Sequence, residues 1–301
     1  MPRTIAAALA RAEAALAASA SPRADAEELV SRLLGLARSS LHLERERPLP
    51  EPAWAKLGHW LERRVAGEPV QYITGRAAFR GLDLAVGPAV LIPRPETEGL
   101  VEAVLEVLRS ERARWHHPRA VDLGTGSGAI AIALAAEFPE AAVTATDASG
   151  AALAVARGNA ETLGLAGRVR FLEGDWLEPL GADELFEVVV ANPPYIATGE
   201  WGSLPTDVRA FEPQAALFSG STGLEALREI VDESPRHLVA GGLLALELAE
   251  ARAAEVAGWL EGAHDWERAE VREDLAGRPR VLLARRAPGP AIAPRQWVEE
   301  R

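Results

Sequence analysis

The sequence predicts an α/β fold, a parallel sheet covered by helices on both faces and preceded by a smaller all-helical region. Three observations predict it. From residue 120 onward, short apolar runs alternate with helix-period segments, the signature of repeated βα units. The turn between the first run and its helix reads Gly124-Thr125-Gly126-Ser127-Gly128. Glycines there admit positive φ and let a ligand approach the backbone. Before residue 75, apolar residues recur at helical spacing.

In the helical region, Leu9 and Leu16 form one stripe. Leu29, Val30, Leu33, Leu34 and Leu36 form a second, and Trp54, Leu57, Trp60 and Leu61 a third. A bundle of this kind packs its own core or serves a partner, and the pattern does not separate the two uses. Residues 1–75 are assigned as a helical substrate-recognition domain. Phe79, Leu82, Leu84 and Val86, then Val90, Leu91 and Ile92, surround Gly81 and Gly87-Pro88. Turn residues between short apolar runs predict a β-hairpin, read as a linker over 76–95. Strands are predicted at 120–123, 142–146, 169–172, 186–191 and 243–248, and helices at 129–137, 151–163 and 223–238. They fill a second domain over 96–286. Residues 287–301 are proline-rich and polar and read as a flexible tail.

Composition excludes several classes. The chain has 301 residues, a formal net charge of -12 and no cysteine. Disulfides, thiolate zinc sites and a cysteine nucleophile are ruled out. An acidic chain without a basic run does not suit phosphate-driven nucleic-acid binding. Arg11 and Glu13 interrupt the alanine-rich N-terminus, which disfavours a secretory signal, and no uncharged run approaches a membrane span. A cytoplasmic enzyme without metal is expected. The adjacent pair His116-His117 is poor geometry for a shared ligand face.

The chemistry concentrates in four places. The glycine turn precedes a helix whose first N–H groups are free for a polar ligand. Gly124-x-Gly126-x-x-Ala129 suits S-adenosylmethionine and a nicotinamide dinucleotide alike. Asp147, after the second strand, can accept from both hydroxyls of a ribose, or cap the next helix as Ser149 can. Glu173-Gly174-Asp175-Trp176 follows the third strand. There Trp176 can wall an adenine and Asp175 can accept from its amine, or the tryptophan can be a core residue. Asn192-Pro193-Pro194-Tyr195 follows an apolar strand. Two prolines stop the ladder and restrict the residues before them, which makes a rigid bracket. The Asn192 side-chain oxygen and the Pro193 carbonyl can accept both hydrogens of an amide or amine, with Tyr195 as a wall. That geometry points a nitrogen at a methyl donor. An amide nitrogen is a poor nucleophile, so alignment is the main task.

Together these residues resemble the class I amino-methyltransferases, including the adenine-N6 enzymes that share the bracket. Pro69-Val70-Gln71-Tyr72-Ile73-Thr74-Gly75, Leu91-Ile92-Pro93-Arg94-Pro95-Glu96-Thr97-Glu98, and Asp207-Val208-Arg209 with Phe211-Glu212-Pro213 narrow the resemblance. They are similar to motifs of the release factor glutamine methyltransferase family (PrmC, also called HemK). The resemblance covers most of residues 25–285. It implies a Rossmann-like S-adenosylmethionine-dependent methyltransferase domain with an antiparallel final strand, a helical N-terminal domain and a hairpin linker. It implies methyl transfer to the amide nitrogen N5 of the glutamine in the Gly-Gly-Gln motif of class 1 peptide chain release factors, leaving S-adenosylhomocysteine. Gly124, Thr125, Gly126, Ser127, Gly128, Asp147, Trp176 and Asn192 would bind cofactor. Asn192, Pro193, Pro194 and Tyr195 would hold the glutamine and form the catalytic site. A ribosomal-protein glutamine methyltransferase shares the bracket, as does an adenine-N6 nucleic-acid enzyme, which the charge disfavours. A non-catalytic nucleoside-binding module has no use for it.

Overall fold

The computed structural model describes residues 3–289. The chain forms two compact units. One comprises the residues up to Arg76 with Val86–Pro88 and Leu204–Glu212, and the other comprises the rest. The expected tail falls largely on residues 290–301, outside the described residues.

The first unit contains α1 (Ile5–Ala15), α2 (Pro22–Leu34), α3 (Arg38–Leu43), α4 (Glu51–Val65) and α5 (Val70–Thr74). Its core takes Leu16, Leu29, Val30, Leu57, Trp60 and Leu61 from the stripes read from the sequence and adds Ile5, Leu41, Val70 and Ile73, while Leu9, Leu33, Leu34, Leu36 and Trp54 pack against it partly buried. Prolines at the first turns of α2 and α4 start those helices where the missing N–H costs nothing. Gly35 and Gly75 end α2 and α5 in the left-handed conformation. Arg64 on α4 donates to Asp25 on α2 at 2.8 Å. The Asp207-Val208-Arg209 and Phe211-Glu212 residues also belong to this unit, and a side chain at Gly67 would meet the Phe211 ring.

The second unit begins with a hairpin, β1 (Arg76–Phe79) and β2 (Leu82–Ala85), followed by α6 (Pro95–Ser110). The hairpin is shorter than predicted. Val90-Leu91-Ile92 is not a strand but irregular chain leading to Pro93 and Pro95, which cannot donate to a ladder. Then come β3 (Arg119–Leu123), α7 (Ala129–Glu137), β4 (Ala142–Asp147), α8 (Gly150–Thr162), β5 (Val169–Glu173) and β6 (Phe186–Ala191). Helix α9 (Thr206–Phe211) lies in the excursion to the first unit. The chain ends with α10 (Glu225–His237), β7 (Leu238–Glu247), α11 (Glu250–Leu260), β8 (Trp266–Glu273) and β9 (Pro279–Arg286). No described helix is long and apolar enough to cross a membrane.

The seven strands run in the order β5-β4-β3-β6-β7-β9-β8. The first five are parallel, and β9 is antiparallel to both neighbours. The sheet is therefore mixed, not wholly parallel as the alternating elements predict, because β8 and β9 are joined by a short hairpin turn. Residue alternation divides the core. Val188, Val190, Leu243 and Ala245 enter one face with α6 and α7, while Val189, Ala191, Leu244 and Leu246 enter the other with α10 and α11. Strands are added outward on one side of β3 as far as β5 and then on its other side from β6, so the loops after β3 and β6 diverge and open a crevice at the C-terminal edge.

Candidate active site

Loops at the C-terminal ends of β3, β4, β5 and β6 converge on one cavity of about 400 Å³. Each of the four sequence-predicted segments contributes to its wall: Gly124 and Gly126, Asp147, Asp175 and Trp176, and Asn192 and Pro194.

The glycine turn is built on Asp122, the fourth residue of β3, which is fully buried. Its Oδ2 accepts from the Thr125 hydroxyl at 2.6 Å and from the Ala131 N–H at 3.1 Å. Its Oδ1 is buried without a hydrogen-bond partner. Burial pushes this carboxyl up to about 7, against those two hydrogen bonds. The Thr125 N–H donates to the Thr146 carbonyl, which ties the turn to β4. Gly124 has φ 68°, and a Cβ there would lie 3.0 Å from Trp176 Cζ3. Gly128, the N-cap of α7 at φ 83°, leaves no room either, since its Cβ would lie 2.8 Å from Ile132 Cδ1. Thr125, Ser127 and Gly128 do not line the cavity; the first two are buried beneath it.

Asp147 ends β4 with its carboxylate held by two backbone donors, the Gly126 N–H and the Ser149 N–H, each at 2.8 Å. The helix-cap role belongs to Ser149, whose hydroxyl accepts from the Ala152 N–H. Each Asp147 oxygen keeps a lone pair for a further donor. Trp176 stands at φ 41°, a left-handed conformation rare for an aromatic residue. Its carbonyl accepts from the Thr146 hydroxyl at 2.7 Å. Trp176 both lines the cavity and packs against the core.

Asn192 begins the bracket at the end of β6. Its Nδ2 donates to the Thr97 hydroxyl at 3.1 Å, and that hydroxyl donates to Glu247 Oε2 at 2.7 Å. Thr97 lies in the first turn of α6 and Glu247 is the last residue of β7. They are 4 % and 1 % exposed. Burial raises Glu247 to about 7, opposed by the Thr97 hydrogen bond and by the charge of Arg280. Burial, and then the charge of Glu247, also raises the Tyr195 phenol. Pro193 and Tyr195 do not line the cavity; Pro193 is buried, and Tyr195 packs against the core below the bracket.

The sequence reading missed Thr97 and Glu247 as site residues. A charged residue closing the apolar run 243–246 was a signal for the second. It also missed the apolar rim of Ala89, Val90, Leu91, Pro213, Ala215 and Ala216. Alanine and valine carry no chemical signature, and only the fold brings residues 89–91 and 213–216 beside the bracket.

A mixed seven-stranded sheet with a glycine turn after its first strand, a carboxylate after its second and a rigid Asn-Pro-Pro-Tyr after its fourth defines a Rossmann-like class I methyltransferase. Solved structures share the fold. The hMettl16 catalytic domain in complex with MAT2A 3'UTR hairpin 1 superposes with a TM-score of 0.55 at 17% identity, covering 84% of this chain and 86% of that one. A human methyltransferase 10 domain containing protein gives 0.50 at 18%, covering 69% and 90%. Two family models match, the PrmC N-terminal domain over residues 7–75 and the methyltransferase small domain over residues 101–204. Curated proteins named release factor glutamine methyltransferase are similar over most of the chain. The one from Moorella thermoacetica is 44% identical, covering 88% of this chain and 92% of its own. Those from Deinococcus radiodurans and Nitratidesulfovibrio vulgaris are 42% and 41% identical, covering 89% and 88% of this chain and 93% and 88% of their own. The chain belongs to the release factor glutamine methyltransferase family, and it is a methyltransferase.

Proposed function

We propose that this enzyme transfers a methyl group from S-adenosylmethionine to the side-chain amide nitrogen, N5, of the Gly-Gly-Gln glutamine in class 1 peptide chain release factors, in the cytoplasm. The observation that carries the reading is the held orientation of Asn192. With its Nδ2 given to Thr97, its Oδ1 is the atom left for the cavity side. An acceptor there suits an –NH2 group and does not suit a carbonyl or hydroxylate. The names of the relatives supply the protein that carries that amide.

The residues present fit the cofactor. The cavity volume is in the range of small-molecule sites. Two glycines in its wall leave room for close approach, the Asp147 carboxylate suits a ribose diol, and the Trp176 ring suits an adenine. Bound there, S-adenosylmethionine supplies a methyl group on a positively charged sulfur. The protein's own task is alignment. Asn192 Oδ1 and the Pro193 carbonyl accept the two amide hydrogens, so that the nitrogen faces the methyl group. Tyr195 supports the bracket from below. As the carbon–sulfur bond breaks and the carbon–nitrogen bond forms, positive charge passes from the sulfur to the amide nitrogen, so acceptors on its two N–H hydrogens stabilise the transition state more than the reactant. One of those hydrogens then leaves as a proton and the nitrogen is neutral again.

Labelled cofactor incubated with a release factor, a ribosomal protein and duplex DNA tests the proposal. Label is expected on the release factor glutamine alone, and its absence there or its appearance in DNA refutes it. S-adenosylhomocysteine is expected to raise the melting temperature and NAD to leave it unchanged.

A further inference from the structure

A carboxamide has two ends of nearly equal size and opposite hydrogen-bonding character. If Asn192 acts through its oxygen, a half-turn of the side chain would put an NH2 group against the target NH2 and abolish the bracket. Something must therefore fix which end faces the substrate. Backbone restriction by Pro193 fixes φ and ψ, but it leaves the terminal torsion of Asn192 free.

We propose that Thr97 and Glu247 are positioning residues that lock the Asn192 carboxamide with its oxygen toward the target amide. The inference rests on the glutamine-holding role of Asn192 proposed above. Its basis is a one-way chain of hydrogen bonds: Asn192 Nδ2 to Thr97 Oγ1 at 3.1 Å, and Thr97 Oγ1 to Glu247 Oε2 at 2.7 Å. A threonine hydroxyl has one hydrogen. In its ionised form, which prevails above about pH 7, Glu247 can only accept, so it takes that hydrogen. Thr97 is then left as an acceptor, which only the NH2 end of Asn192 can satisfy. The flipped carboxamide would place two acceptors, Asn192 Oδ1 and the Thr97 oxygen, against each other in a buried site, which is costly. Arg280 and Arg94 act on Glu247 to favour its charged form, while burial and Glu96 oppose it.

Both groups are almost wholly buried, and they come from separate elements, α6 and β7, at positions 150 residues apart. Neither lines the cavity. Their effect on the reaction therefore runs through Asn192. The arrangement gives the Thr97 of the Arg94-Pro95-Glu96-Thr97-Glu98 run a purpose that a helix start alone does not explain.

Four variants test it in the full chain: Thr97→Val, which keeps the shape and removes the hydroxyl; Thr97→Ser, which restores it; Asn192→Ala, which removes the carboxamide; and Glu247→Gln, which removes the charge of the last acceptor. For each, kcat and KM for an intact release factor are measured with circular dichroism as a control of folding, and S-adenosylhomocysteine affinity is read for the Thr97 and Glu247 variants, whose side chains do not line the cavity. Thr97→Val is expected to lose roughly 10- to 100-fold in kcat, less than deletion of the group it orients, with KM and product affinity within about twofold of wild type. Thr97→Ser is expected to recover most of that loss. Glu247→Gln, whose amide permits either direction of the chain, is expected to fall between them. The lock is overturned if Thr97→Val turns over at the wild-type rate while Asn192→Ala is crippled, in which case the bracket stands without it. It is also overturned if Thr97→Val and Thr97→Ser lose product affinity together, since that is a packing role. A wild-type rate for Asn192→Ala removes the bracket itself, and the lock with it.

Discussion

Replacing Glu247 with Gln is expected to make the protein more stable at pH 8 and to leave it unchanged near pH 4.5. The carboxyl is 1 % exposed, and burial raises it from its ordinary 4.5 to about 7. In the unfolded chain it ionises near 4.5. Below that pH both states hold the proton, and the stability it contributes is fully present. Between 4.5 and about 7 the unfolded state has released its proton while the folded state retains it, so rising pH favours unfolding. Above about 7 both are ionised and nothing further is lost. At about 1.4 kcal/mol for each pH unit, the gap amounts to about 3 kcal/mol. For a domain of this size that is roughly 6–12 °C of melting temperature. Glutamine keeps the acceptor for Thr97 and carries no charge, so it avoids this loss. Arg280 keeps its bond to the Leu248 carbonyl and its ion pair with Asp274. Asp122, also raised by burial to about 7, has the same sign and remains in the variant. Glu229, raised by burial as well, has the same sign, so the variant should keep part of the wild-type pH slope. Scanning calorimetry of both proteins between pH 4.5 and pH 8 measures it. Identical slopes, or a variant less stable than wild type at pH 8, refute the reasoning. With the proposed lock, the substitution exchanges turnover for stability at a single buried side chain.

Other outcomes follow from the same geometry. Asn192→Ala should lower single-turnover methyl transfer at saturating cofactor on the order of 100- to 1000-fold, as loss of a preorganised polar group does; rapid-quench measurements on a release factor check it. Asp147→Ala removes the carboxylate proposed to accept from two ribose hydroxyls and should weaken S-adenosylhomocysteine binding by roughly 100- to 10,000-fold in calorimetric titration. Unchanged affinity would show that the carboxylate only braces Gly126 and Ser149. Gly128→Ala forces a side chain into a left-handed position against Ile132 and Ala156, and should cost about 2–4 kcal/mol in denaturant unfolding.

Much of the fold was legible because it depends on periodicity. The strand at Phe186–Ala191 and the helix at Ala129–Glu137 fall where the apolar runs predict them, since a central strand and a central helix are buried on all sides and bounded by turn residues. Helix α6 was not assigned although Leu100, Val101, Val104, Leu105 and Leu108 carry the period, because the preceding apolar run 90–92 was read as the end of a hairpin. The antiparallel position of β9 came from family resemblance and not from its own residues. Strand pairing depends on which neighbour is in reach, and local sequence does not encode that.

For the site, sequence determined the residues whose covalent constraints act locally. Glycines at positive φ, prolines that end a strand and a carboxylate at a strand end keep their meaning in any setting, and so the turn at Gly124, Asp147 and the Asn192 bracket were readable before the fold. The tertiary structure decided which of their faces meet the cavity and what stands behind them. Thr97, Asn192 and Glu247 are far apart in the chain and ordinary in type. Their buried chain of hydrogen bonds exists only because β6 and β7 pair in parallel and α6 covers their ends, and hydrogen-bond direction is a property of atoms in contact, not of residues in order.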